Sequence, residues 1–282
     1  MSSVNLKEFP KSNPLDGCWA KIERAEYHIK DLTKEIHKFI SQLENTSKLD
    51  HLHLDQRPAQ RDYTLTLTID PPLILGILAG EILYQLRSSL DHIVYQLLIL
   101  NGVSGKALEK SEFPICEDST RYENKGYSKI QNLTPYMLRV IEMIQPYNDL
   151  RGCAIKDHPL VVLHSMNNID KHRIMLTPIV ETTSTVVASV TRSGPYGIGI
   201  NLVNNGVTTF EPSKNRTQLV ANVFVPGPIP EPVTVEGIRV ECTFDVMFEQ
   251  IGTRNNMIIP TLINIAGTVR SLVSEFNKKF FS

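Results

Sequence analysis

The chain has 282 residues, with 29 Lys and Arg against 30 Asp and Glu and a formal net charge of -1 at pH 7. That balance argues against strong global attraction to nucleic acid and leaves room only for a local basic patch. With 41% hydrophobic and 21% charged residues, the composition is that of an ordinary globular protein with a full core.

No apolar run approaches the ~20 residues of a membrane span. The start, MSSVNLKEFPKSNP, carries no apolar signal core, so secretion is not indicated. The cysteines Cys18, Cys116, Cys153 and Cys242 lie far apart with no CxxC pair. This argues against a zinc knuckle or a disulfide scaffold and fits a cytoplasmic protein. Each cysteine reads as a small buried hydrophobe.

Residues 1–14 are polar, contain Pro10 and Pro14, and read as an N-terminal arm. A helix is expected from Asp16. Ile22, Ala25, Ile29, Leu32, Ile36, Phe39 and Leu43 fall at alternating spacings of three and four, which makes one apolar face. Leu49 to Pro58 is an excursion containing His51, His53 and Asp55. An HxH pair on a strand presents both imidazoles to one face and is a weak metal signal. Tyr63 to Ile69 alternates and is β-branched, so it is expected as a strand paired with His51–Leu54.

Pro71 and Pro72 open a second helix, which is expected to run to Leu100 and stop at Asn101-Gly102. Residues 103–130 read as a loop anchored by Phe113-Pro114-Ile115. A third helix has Thr134 as N-cap, buries Met137, Val140, Ile141 and Ile144, and ends at Gln145-Pro146. A fourth follows His158-Pro159, with Leu160, Leu163, Met166 and Ile169 facing inward. From 179 to 250 the chain turns to short Val-, Thr- and Ile-rich runs, with Asn204-Asn205-Gly206 as the clearest hairpin turn. In the last run Val240, Cys242, Phe244, Val246 and Phe248 alternate with Glu241, Thr243, Asp245 and Met247. Helical spacing returns over 260–280.

The expected class is α+β. A bundle of roughly four helices over 15–178 carries a small hairpin insertion near 49–70, and a β-rich antiparallel unit with a terminal helix follows over 179–282.

The densest chemistry lies on the second helix. Ile82, Leu83, Leu86, Leu90, Ile93, Val94 and Leu97 cover one side. Tyr84, Gln85, Ser88, Asp91, His92 and Tyr95 cover the other, with Arg87 at the border. Asp91 follows Arg87 by four residues, so the two can pair along the helix. Arg87 and His92 are long enough to converge on one ligand.

This Arg-x4-His pattern, Arg87 to His92, resembles that of HEPN domains, which are helical bundles. The resemblance covers residues 16–175 at most, and Ser88 stands where active members often carry Asn, Asp or His. It implies a metal-independent endoribonuclease without cofactor, acting as a homodimer on RNA. In that scheme Arg87 stabilises the phosphorane, His92 is general acid or base, and the 2′-hydroxyl attacks to leave a 2′,3′-cyclic phosphate. The chemistry suits the residue types, because His transfers protons near neutral pH and a guanidinium offsets added negative charge. A toxin or defence role would fit such an activity.

A second polar stretch runs from Leu163 to Arg173. His164, Asn168 and Lys171 share a helix face, and Lys171, His172 and Arg173 crowd its C-terminal turn. His164, Lys171 and Arg173, together with Ser88 and Asp91, are the supporting candidates. They either hold RNA phosphates or form a capping and salt-bridge network. A metal set of Glu81, His92, His164 and Asp170 lacks the Glu-x-x-His pair of helix-bundle sites, and Glu81 and His92 lie about 16 Å apart along the axis. No metal and no DNA-binding motif is expected, and no GxSxG, GxxxxGK or GxGxxG occurs. The competing reading is a non-catalytic interaction or scaffold protein, in which the bundle dimerises and Arg87 pairs internally with Asp91.

Overall fold

A computed structural model describes residues 13–53, 60–149, 152, 154–172, 176, 178–188, 199–202, 206–210, 217–224, 238–248 and 257–282. The expected arm up to residue 12, Asp55, Cys153 and Arg173 lie outside these residues, as do the side chains of His51, His53 and His172. The fold is α+β. In chain order the elements are α1 (Asp16–Thr46), β1 (Lys48–His53), β2 (Gln60–Thr66), α2 (Leu73–Leu100), α3 (Lys106–Glu109), α4 (Ser119–Arg121), α5 (Pro135–Met143), α6 (Pro159–His172), β3 (Pro178–Ala188), β4 (Gly199–Leu202), β5 (Val207–Phe210), β6 (Thr217–Phe224), β7 (Ile238–Phe248) and α7 (Ile258–Phe276).

The chain divides into two compact units that do not follow its linear order. One holds residues 1–32, 77–176 and 259–282; the other holds 33–76 and 177–258. The terminal helix therefore groups with the helical unit, and the hairpin groups with the later strands.

In the helical unit, α2 is the central element. Ile82, Leu83, Leu86, Leu90, Ile93, Val94 and Leu97 are all fully buried. The face drawn from periodicity is the buried face, because residues three and four apart stack on one side of a helix. By length and composition α2 could also cross a membrane, but Glu81, Arg87 and Asp91 interrupt it and 61% of its most apolar window is buried inside the protein, as in a core helix. α2 begins just after Pro72 rather than containing both prolines. It stops as expected at Gly102, which takes φ 73. There the amides of Gly102 and Val103 turn back to the carbonyls of Ile99 and Leu98, both at 2.9 Å.

α1 buries Cys18, Ile22, Ala25, Ile29 and Leu32, and α7 buries Leu262, Ile265, Val269, Leu272, Val273 and Phe276. Thr134 caps α5, its hydroxyl accepting from the Met137 amide at 3.3 Å. In α6 the buried residues are Leu160, Val161, Leu163, Met166 and Asn167, whereas the expected Ile169 is only half-buried.

Residues 103–130, expected as loop, contain a helical stretch from Ser119 to Lys129. It passes from α4 through a π turn into a 3₁₀ turn. Asp118 caps it, accepting from the Arg121 amide at 2.7 Å. Only Tyr122 and Gly126 are buried within it, too few to show a period. Gly126 allows a close approach: a β-carbon there would stand 3.0 Å from Cys116 Sγ.

In the other unit, one antiparallel sheet has the order β1-β2-β6-β4 and a second has β5-β3-β7. The β1–β2 hairpin pairs as expected in kind, with Lys48 opposite Thr66 and His53 opposite Arg61. Asn204 and Asn205 of the expected hairpin turn lie outside the described residues; of the strands on either side, β4 pairs with β6 and β5 with β3. Along β7, Val240, Phe244 and Val246 are buried and Glu241 and Thr243 exposed. Met247, assigned to the wetter face, is buried and bridges Met257.

Candidate functional site

Arg87 is not a border residue open to a ligand. It is 2% exposed. Its Nη2 donates to Glu112 Oε1 at 2.6 Å and to the Phe113 carbonyl at 2.6 Å, and lies 3.0 Å from Asp91 Oδ1. Asp91 Oδ1 in turn accepts from the Phe113 amide at 3.0 Å. Arg87 and Asp91, one turn apart, therefore grip both backbone groups of Phe113. Lys129 closes the network by pairing with Glu112 Oε2.

The same segment is held from its other end by Gln145. Its Oε1 accepts from the Cys116 amide at 3.0 Å, and its Nε2 donates to the Pro114 carbonyl at 2.9 Å. A buried non-helical segment must have its peptide groups bonded, and here side chains do it. The Phe113 ring is fully buried and meets Phe276 edge-on at 6.3 Å. The expectation that Phe113-Pro114-Ile115 anchors this region holds, and Arg87 and Asp91 are the means.

His92 points elsewhere. It stands opposite Gly17 of α1, where a β-carbon would lie 3.5 Å from His92 Nδ1. Burial lowers its pKa, and the Lys21 ammonium lowers it further. At neutral pH the ring is uncharged. Arg87 and His92 are not brought together within one chain: the guanidinium is turned to the 112–113 backbone and the imidazole to α1.

His164 is the histidine that joins the Arg87 cluster. Burial lowers its pKa first, and the Arg87 and Lys129 charges add to this. Its Nε2 accepts from Asn168 Nδ2 at 3.1 Å. Burial pushes the Asp91 carboxyl up, partly offset by Arg87 and the Phe113 amide. Burial also acts to raise Glu112, but the Lys129 hydrogen bond and the Arg87 charge outweigh it and hold this carboxyl low. Two buried nitrogens in this region, Arg87 Nη1 and His164 Nδ1, have no hydrogen-bond partner among the described residues.

Ser88 is half-exposed on the outer side of α2. Lys171 lies over the Tyr84 ring, 5.1 Å from its centroid, a cation–π contact. Asp170 packs its carboxylate against Gly80, where a β-carbon would stand 2.6 Å from Oδ2. Among the described residues, no group of three His, Cys, Asp or Glu is placed to hold a metal ion. Glu81 instead faces His28, 3.6 Å from its Nε2. Cys18 and Cys116 are buried free thiols and Cys242 is a half-buried one; burial pushes the Cys18 thiol up to about 12.

Glu112, Lys129, Gln145 and Lys21 are the site residues that sequence patterns did not supply. Only Glu112 had a signal, its position just before Phe113-Pro114. No protein-family model matches the chain, and no curated protein or solved structure matches it.

Proposed function

We propose that the helical unit is a non-catalytic interaction module that pairs with a second copy through the outer face of α2. The observation that carries this reading is the commitment of Arg87. A guanidinium bonded to two carboxylates and a buried carbonyl has no free charge for a phosphorane. Drawing it out would strand those acceptors at a cost of several kcal/mol. Arg87 then serves the fold, and α2 is left with its exposed side to explain.

That side is unusually apolar for a surface. Ile77, Tyr84, Tyr95 and Ile99 are 45%, 48%, 40% and 45% exposed. They form one stripe with Glu81, Ser88 and His92. The stripe is self-complementary about Ser88: Ile77 and Ile99 lie equally far from it, as do Glu81 and Tyr95, and Tyr84 and His92. In an antiparallel two-fold contact each residue meets its counterpart across the axis. Isoleucine then meets isoleucine, the Tyr95 hydroxyl meets a carboxylate, and the small Ser88 sits where the helices come closest.

Sedimentation equilibrium at about 100 µM tests this. The wild type should weigh as a dimer and Ile77→Asp with Ile99→Asp as a folded monomer. A monomeric wild type sinks the reading. Ser88→Cys should oxidise to a symmetric disulfide dimer, which any other register does not allow.

One observation favours ribonuclease chemistry as a second reading. His92 is half-exposed, uncharged at neutral pH and beside a cation, Lys21. A base of that kind with Lys21 in place of Arg87 would suit attack by a 2′-hydroxyl. RNA cleavage by the purified protein that is lost in His92→Ala would establish it and overturn the non-catalytic reading.

A further inference from the structure

We propose that a cavity in the helical unit binds a linear aliphatic diamine, with Asp149 taking one ammonium inside and Glu275 the other at the mouth. The site is apart from the outer face of α2 and does not rest on the pairing of two copies. The cavity holds about 260 Å³ and lies between the end of α5, the turn that follows it, the start of α6 and one side of α7. It is smaller than most drug-sized pockets and suits a ligand of few atoms. Met143, Ile144, Leu160 and Leu272 line it with apolar surface, against which a chain of methylene groups packs as the stem of a lysine does.

The polar groups on the wall decide which end groups fit, because most of their hydrogens are already spent. Gln145 donates from Nε2 to the Pro114 and Ile141 carbonyls. The Thr268 hydroxyl donates to the Asn264 carbonyl at 2.9 Å. His158 Nδ1 accepts from the Leu160 amide at 3.2 Å, so the ring proton sits on Nε2, 3.1 Å from Asp149 Oδ2. Asn148 Nδ2 donates to the Glu142 carbonyl at 2.8 Å, which leaves that amide one hydrogen. The wall therefore offers mainly acceptors: the Thr268 oxygen and the carboxylates of Asp149 and Glu275. An ammonium brings three donors and no acceptor. A carboxylate, phosphate or carbonyl ligand would set acceptor against acceptor.

Charge points the same way. Among the described residues, two carboxylates and no Lys or Arg line the cavity. The Asp149 side chain is 13% exposed and that of Glu275 47%, which puts one inside and the other at the mouth. Lys279, one helical turn onward, stands 3.5 Å from Glu275. An exposed pair of that kind is weak and gives way to a ligand ammonium.

Calorimetric titration of the full chain with diaminobutane, butylamine and butanediol tests this. Diaminobutane should bind, butylamine should bind about two- to fivefold more weakly, the worth of one exposed ion pair, and the uncharged diol should not bind. Glu275→Gln should bring diaminobutane down to the affinity of butylamine. Met143→Lys ties an ammonium at the mouth and should weaken binding about tenfold or more while the melting temperature holds. Glu109→Gln removes an exposed carboxylate that does not line the cavity and should bind as wild type. No heat with diaminobutane at about 20 mM, equal affinity for butylamine or for butanediol, wild-type binding by Glu275→Gln or by Met143→Lys, or an equal loss in Glu109→Gln would each overturn the proposal.

Discussion

Replacing Arg87 with Gln separates a structural from a catalytic role for this residue. The substitution removes the buried donor to the Phe113 carbonyl, a charge-assisted bond of 2.6 Å worth about 1.5–3 kcal/mol. It also unpairs Asp91 and Glu112. Their side chains are 31% and 35% exposed, so water takes over much of that lost pairing and its contribution is discounted. The sum is about 2–3 kcal/mol, which in a unit of roughly 150 residues lowers the melting temperature by about 5–10 °C. Far-UV circular dichroism melts of wild type, Arg87→Gln and Arg87→Lys measure it. Lys keeps one charged donor but not the fork, so it should fall between the other two. An Arg87→Gln melt within about 1 °C of wild type would refute the assignment of Arg87 to the fold.

Gly80→Ala puts a β-carbon 2.6 Å from Asp170 Oδ2 and should destabilise by about 1–3 kcal/mol; adding Asp170→Ala should recover most of it in urea titration, and an additive double mutant would show that the two residues do not touch. Thr182→Val removes a buried hydroxyl that has no partner among the described residues and should be neutral or stabilise by about 1 kcal/mol; a clear loss of stability would mean that the hydroxyl is bonded. The pKa values of His92 and His164 are lowered from 6.5 and that of Glu112 from 4.5. The unfolded chain therefore takes up these protons first as pH falls. Stability should be full above 6.5, decline as pH drops through 6.5 toward the lower folded-state values, and decline again below 4.5 as Glu112 protonates. Asp91, with its pKa raised, opposes this only in a window above 3.8. His164→Gln should flatten the upper decline, and an unchanged slope between pH 7 and pH 5 would contradict it.

The core of α2 was legible because its burial is periodic: seven apolar residues stack on one side, and a glycine with positive φ ends the helix. Burial is periodic in α1, α5 and α7 as well, except that Ile144, expected on the buried side of α5, is only half-buried. Arg87 was not legible for a physical reason. Its partners are a carbonyl and a carboxylate some 25 residues onward in the chain, and helical spacing carries no information about a loop folding back. The i,i+4 relation to Asp91 was visible, but that pair was only half of the grip on Phe113. The expected convergence of Arg87 and His92 relies on the length of their side chains, but Arg87 spends its length on Glu112 and Phe113, and His92 faces Gly17. Turn residues such as Asn204-Asn205-Gly206 signal local chain reversal but not which sheet each flanking strand joins, and here β4 pairs with β6 and β5 with β3.

The segment Phe113 to Cys116 has no helix or strand of its own. Among the described residues, its peptide groups bond to the side chains of Arg87, Asp91 and Gln145. It cannot settle until α2 exists and the chain beyond α5 has been placed to present Gln145. Docking of this strap is therefore expected to come late in folding, after the barrier. Weakening it should leave the refolding rate nearly unchanged and shorten the lifetime of the native state, so the loss in Arg87→Gln belongs in the unfolding arm of the chevron.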